Sequence, residues 1–146
     1  MSQTAALRMI AFAETREQIA RCYPVIRELR THLAEDEFVA RVSTQIEQGY
    51  RLAFIEVEGD VVACAGYRIG DSLAWGHFLY VDDLVTASDS RSEGHGGALL
   101  RWLCEEAHAN GCERLHLDSG TERKAAHRFY QREGLAISGF HFVRAL

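Results

Sequence analysis

The chain reads as a single α+β domain spanning residues 1–146, with a mixed, mostly antiparallel sheet flanked by helices in the order βααβββαβαβ. Three observations predict this class. Short runs rich in β-branched and aromatic residues interleave with segments whose apolar residues recur every three or four positions. Several of the early runs are separated by no more than a turn, which places most of the antiparallel pairing in the first half. With 146 residues, 47% of them hydrophobic and 25% charged, the chain can bury one core without disulfides or metals.

Each element has its own warrant. Leu7 to Phe12 is a short β-compatible run, and Glu14 to Cys22 is helical in pattern. Pro24, the only proline, suits the first turn of a further helical stretch, where its missing N–H costs nothing. Phe38, Val42 and Ile46, with Val39 beside them, mark one face of a helix. Glu35, Asp36 and Glu37 open it where negative charge suits a helix N-terminus, and Gly49 closes it. Leu52–Val57 and Val61–Arg68 are strands divided by the turn Glu58-Gly59-Asp60, and Leu73–Val85 is a long aromatic strand. Gly96–Asn110 is a helix with Leu99, Leu100, Leu103 and Ala107 on one face and Asn110-Gly111 as its stop. Leu115–Leu117 is a strand core, Arg123–Glu133 a helix and Ile137–Leu146 a final strand.

The most informative stretch lies between the aromatic strand and the next helix. Three glycines, Gly94, Gly96 and Gly97, fall within four residues. Without side chains there, backbone N–H groups can converge on an anion, and the helix adds its unpaired first-turn donors. A tight turn alone would explain Gly94 but not all three. The pattern suits a pyrophosphate. It is not a P-loop, because the chain contains no Gly-Lys pair. A dinucleotide fingerprint is disfavoured by spacing: Leu99 stands where a third small residue belongs, and only 28 residues follow Asp118, fewer than the expected remaining strands need.

Bulk properties exclude further classes. A net charge of −5 disfavours nucleic acid and anionic membranes as partners and tolerates a cationic one. Cys22, Cys64, Cys104 and Cys112 form no C-x-x-C pair and read as reduced thiols. The seven histidines show no ligand spacing, so no metal is expected. With no leader pattern and no apolar run approaching the length of a membrane span, a cytoplasmic protein is expected.

The spacing Arg91-x-x-Gly94-x-Gly96 resembles the coenzyme A signature of the GNAT superfamily of N-acetyltransferases. Ala126-His127-Arg128-Phe129-Tyr130-Gln131-Arg132-Glu133-Gly134-Leu135 is similar to that superfamily's second motif, in the right order and with a strand between. The resemblance covers the last 65 or so residues well and extends to the element order of the first half. It implies the acyl-CoA N-acyltransferase fold and acetyl-CoA as the acetyl donor. It further implies direct attack by a primary amine in a ternary complex, and neither motif holds a cysteine to carry the acyl group. The cofactor would be held by Leu84, Val85 and Thr86 on the strand edge and by Arg91, Ser92, Glu93, Gly94, His95, Gly96 and Gly97 in the loop. Ser119 and Lys124 would contact it near the second motif, where Arg123 replaces the family's usual Asn.

The same resemblance makes Tyr130 the acid that protonates the departing thiolate, a task suited to a phenol of pKa about 10. Its bland alternative is a core tyrosine packed on Phe129. Asp83 occupies the position where many relatives carry a carboxylate that serves as base. Asp82 and Asp83 are successive strand residues, so one is expected to face the cleft and the other solvent; alternatively the two merely cap a strand end. Glu56 and His77 are further base candidates. His116, Asp118 and Ser119 crowd one strand end and lack a nucleophile elbow, which argues against a hydrolase triad. The expected acceptor is a small-molecule amine, with aminoalkylphosphonate acetyltransferases the nearest type. Its recognition is expected around Arg27 to Phe38 and on the strand bearing Trp75, His77 and Tyr80, and a homodimer through the β-rich C-terminus is admitted. The competing readings are a catalytically silent coenzyme A sensor and a protein or peptide N-acetyltransferase.

Overall fold

A computed structural model describes residues 8–146. The N-terminal part of the expected first strand, Leu7, lies outside the described residues. The chain forms two compact units, Met1–His116 and Leu117–Leu146.

The first unit opens with β1 (Met9–Phe12), α1 (Arg16–Ile26) and α2 (Glu35–Glu47). It continues through β2 (Arg51–Val57), β3 (Asp60–Ser72), β4 (Gly76–Thr86), a short 3-10 turn (Ser88–Ser90) and α3 (His95–Ala109) to β5 (Arg114–Leu117). The sheet runs β1-β2-β3-β4-β5, with β1 to β4 paired antiparallel, and β5 is reached through the α3 crossover. α1 starts on a capping box in which Thr15 Oγ1 accepts from the Gln18 N–H at 3.2 Å and Gln18 Oε1 accepts from the Thr15 N–H at 3.0 Å. Ile19, Cys22, Val25 and Ile26 of α1 and Phe38, Val39 and Val42 of α2 form one core with Leu52, Phe54, Cys64, Val85 and Ala87 of the sheet side. Leu99, Leu100, Leu103 and Ala107 bury the apolar stripe of α3, which packs on β3 and β4. The sheet therefore has a helical layer on each face, as alternating strand residues require.

Three expectations need correction. Pro24 does not begin a helical stretch; α1 runs through it to Ile26. Proline there forfeits one intrahelical bond in the last turn, too little to stop a helix whose Val25 and Ile26 are buried. The aromatic strand does not start at Leu73: β3 reaches Ser72, and β4 begins after a tight turn at Gly76 (φ +70°). The pairing of Ser72 with Gly76 keeps both strands extended to the hairpin tip.

The second unit contains α4 (Lys124–Arg132), closed by the left-handed Gly134 (φ +95°). The expected strand at Ile137–Leu146 is absent, and Ile137, Phe140, Phe142, Val143 and Leu146 are exposed. Alternating apolar residues give a segment β-propensity, but a strand exists only where a neighbour takes up its N–H and C=O groups. The final β of the anticipated order is thus not formed among the described residues.

Candidate active site

β4 carries the first half of the candidate site. Its register with β3 jumps from Gly66–Asp83 to Tyr67–Val81, leaving Asp82 as an extra residue, a β-bulge. The bulge overturns the expectation that Asp82 and Asp83 face opposite sides. Asp83 lies on the α1/α2 side, with Arg30 Nε donating to its Oδ1 at 2.8 Å and the Tyr50 hydroxyl to its Oδ2 at 2.7 Å. Asp82 turns to the same side, because it takes both Nε (2.9 Å) and Nη2 (2.8 Å) of Arg68, which shares a face of β3 with the buried Cys64. An inserted residue breaks the two-residue period that the opposite-face argument relied on.

Beyond the bulge the direction of the backbone is fixed. The Ala87 N–H donates to Val62 O at 2.8 Å, toward β3. Alternation then turns the N–H groups of Leu84 and Thr86 away from β3, and that of Val85 toward it. Val85 and Ala87 bury their side chains in the α1/α2 core.

The loop supplies the second half. Ser92 (φ +70°) and Gly94 (φ +82°) both adopt the left-handed region, which folds the chain tightly into α3 with Gly94 as N-cap. The Ala98 N–H bonds Gly94 O at 3.0 Å, whereas those of His95, Gly96 and Gly97 are first-turn donors with no partner inside the helix. No acidic residue occupies that first turn. Arg8 crosses from the β1 side to donate to Glu93 O at 2.8 Å, beside Gly94. Arg91 stays largely exposed, its Nη2 3.7 Å from Glu28 Oε1. That carboxylate also accepts the Ser88 N–H at 3.0 Å, anchoring the end of the strand. The His95 ring is buried; Nε2 meets Glu93 Oε1 at 3.3 Å, and Nδ1 has no hydrogen-bond partner among the described residues. Three amides without a partner inside the helix, the positive end of a 15-residue helix and a flanking guanidinium are a donor set for a diphosphate.

The other candidate residues belong to the second unit. Tyr130 is buried on α4, its ring centroid 5.4 Å from that of Phe129. Lys124 is exposed at the start of the same helix. Ser119 Oγ is buried without a hydrogen-bond partner among the described residues, a vacant donor and acceptor of the kind a bound ligand can use. The remaining base candidates are engaged elsewhere: Glu56 Oε1 pairs with Arg21 at 2.8 Å, and His77 Nδ1 sits 2.9 Å from Asp71 Oδ1 near the hairpin tip. Sequence reasoning missed Arg30, Tyr50 and Arg8. The one linear hint was Gly66, a glycine inside an apolar strand, which signals a close approach. A Cβ there would collide with the Tyr50 hydroxyl.

A bulged strand whose Leu84 and Thr86 amides face away from β3, leading into a helix with glycines at its second and third positions, defines an acyl-transfer scaffold of the coenzyme A type. The acetyltransferase (GNAT) family model matches residues 12–135, and the chain belongs to that family. It is an N-acetyltransferase, similar to the uncharacterized N-acetyltransferase YhdJ of Bacillus subtilis (strain 168), with 32% identity over 130 residues, 88% of this chain and 92% of that one. It is also similar to the aminoalkylphosphonate N-acetyltransferase of Salmonella typhimurium (strain LT2), with 36% identity over 98 residues, 66% of this chain and 62% of that one. Among solved structures, aminoglycoside N-acetyltransferase AAC(6')-Iy in complex with CoA shares the fold at TM-score 0.82 and 14% identity, covering 99% of each chain. The ribosomal-protein-alanine N-acetyltransferase of Brucella melitensis does so at TM-score 0.82 and 15% identity, covering 96% of this chain and 99% of that one.

Proposed function

We propose that the chain, acting over residues 1–146 as one domain, moves an acetyl group from acetyl-CoA to the primary amine of a small molecule by direct attack in a ternary complex. The observation that carries this reading is the α3 N-terminus, where the amides of His95, Gly96 and Gly97 have no partner within the helix. The segment Arg91, Ser92, Glu93, Gly94, His95, Gly96 and Gly97 holds the diphosphate, with Ser119 and Lys124 as further contacts. Leu84, Val85 and Thr86 form the strand edge along the acyl arm; the outward N–H groups of Leu84 and Thr86 are its donors, and they polarise a carbonyl there. Acetyl-CoA supplies an acyl group already activated as a thioester. Tyr130 donates a proton to the thiolate as the carbon–sulfur bond breaks and the carbon–nitrogen bond forms, while the proton lost by the attacking amine passes to solvent water, from which the phenol is reprotonated.

Asp83 enters this scheme with both carboxylate oxygens engaged, so taking up a proton would cost it a bond to Arg30 or Tyr50. The similarity to an aminoalkylphosphonate N-acetyltransferase supports a small acceptor. The reading includes a cytoplasmic protein and a homodimer, for which the exposed apolar tail from Ile137 to Leu146 is the candidate shared surface. An amine panel incubated with acetyl-CoA, following release of free thiol, tests the function. Release with aminoalkylphosphonates or another small-amine class is the expected result. Release only with peptide N-termini or lysine peptides would replace the acceptor, and binding without release would leave a coenzyme A sensor.

A further inference from the structure

Three separate parts of the chain converge on the β4 bulge. Arg30, in the connection between α1 and α2, donates through Nε to Asp83 Oδ1 and through Nη2 to the carbonyl oxygen of Asp82, both at 2.8 Å. Tyr50, set just before β2 by the left-handed Gly49 (φ +99°), is 3% exposed and donates to Asp83 Oδ2 at 2.7 Å. It reaches that oxygen over Gly66, the residue paired with Asp83, at a point where any side chain on β3 would block it. Burial, reinforced by the adjacent Asp83, pushes the Tyr50 phenol well above the usual tyrosine value, so it remains a donor throughout the neutral range.

The clamp grips both sides of one peptide group: the carbonyl of the inserted residue and the side chain of the residue after it. Such a grip has a geometric consequence. A bulge is one residue away from an ordinary ladder, and a slip of one position would exchange inward and outward backbone groups along the rest of the strand. Leu84 and Thr86 would then turn their N–H groups toward β3. We propose that Arg30, Tyr50 and Asp83 form a positioning network that holds β4 in its bulged register and so keeps the Leu84 and Thr86 amides facing away from β3. Asp83 is thereby a positioning residue, not the base. This rests on the acetyl-transfer reading for its purpose, though not for its geometry.

The test uses the full chain and Tyr50→Phe, which keeps the ring and removes only the hydroxyl, with Arg30→Lys and Asp83→Asn beside it. Amide signals in ¹H–¹⁵N spectra and turnover of aminomethylphosphonate with acetyl-CoA are measured for each. In Tyr50→Phe the signals of Leu84 and Thr86 are expected to move while those of His95 to Gly97 hold. The corresponding kcat falls about tenfold or more, as misplacement by a fraction of an ångström produces. The affinity for acetyl-CoA stays within about threefold, since the helix N-terminus that grips the diphosphate is untouched. Arg30→Lys retains the charge yet is not expected to restore kcat, because an ammonium lacks the planar fork. Asp83→Asn should lower kcat and leave the shape of the pH–rate profile unchanged. Unmoved Leu84 and Thr86 signals with kcat within about twofold of the parent would overturn the proposal. So would an Asp83→Asn profile that loses its acidic limb, which would make Asp83 the proton acceptor. If the parent neither turns over nor binds acetyl-CoA, the acetyl-transfer reading fails by itself, and the amide signals alone decide the network.

Discussion

Tyr130 and Tyr67 are both tyrosines that packing removes from water, and the consequences they carry differ. Tyr130 lies in the second family motif and is read as the proton donor. Replacing it with Phe keeps its packing against Phe129 and should lower kcat about a hundredfold, with acetyl-CoA affinity nearly unchanged in calorimetry. Tyr67 donates to Glu106 Oε2 at 2.6 Å on the α3 face, and burial followed by that hydrogen bond raises its pKa above the usual value. Tyr50 is raised in the same sense on the other face. In both cases the folded state favours the protonated phenol. Their contribution to stability is therefore complete below the unfolded tyrosine value of about 10 and is lost as pH rises from there through the folded values. Denaturant midpoints should be flat from neutrality to about pH 9 and then decline, and Tyr67→Phe should decline less steeply than the parent. An equally steep decline in Tyr67→Phe would show that another group sets the alkaline limit.

At the scale of elements, the site is made by two departures from regularity: a strand with one residue too many and a helix with two glycines in its first turn. Each can be changed independently. Gly66→Ala would push against a Tyr50 hydroxyl that is tethered to Asp83, and should cost about 1–3 kcal/mol in chemical denaturation. Gly96→Asp has effects of opposite sign. A carboxylate in the first turn of α3 complements the helix dipole and should add about 0.3–1 kcal/mol of stability. The same charge should weaken acetyl-CoA binding more than about tenfold by repelling the diphosphate. A variant that is more stable and still binds normally would place the cofactor elsewhere.

The elements also explain how far the sequence could be read. α3 was legible because its apolar period, its glycines and the Asn110-Gly111 stop all agree locally, and the structure ends it at Ala109. The bulge was not. Whether Asp82 is inserted depends on which residues of β3 it faces, and no local pattern records that. Pro24 misled for the converse reason, since the burial of Val25 and Ile26 outweighs one missing hydrogen bond.

For the molecule as a whole, the family followed from motifs lying close together in the chain, and the order of elements through α4 from local periodicity. The network around Asp83 joins residues 53 and 33 positions apart, and such contacts leave no mark on spacing. The tail shows the limit from the other side. Its sequence reads as a strand, yet Phe140 and Phe142 are 87% and 90% exposed, and no strand forms there. If a second copy covers it, light scattering should give a dimer for the parent and a monomer for Phe140→Asp with Phe142→Asp. A parent that is monomeric at high concentration would remove the homodimer.

The most direct test of the central claim is a titration of the ¹⁵N-labelled chain with acetyl-CoA, read at the backbone amides. Saturable shifts are expected, largest at His95, Gly96 and Gly97 and continuing to Leu84 and Thr86. Saturation with those five amides unmoved, or no binding at all, would contradict it.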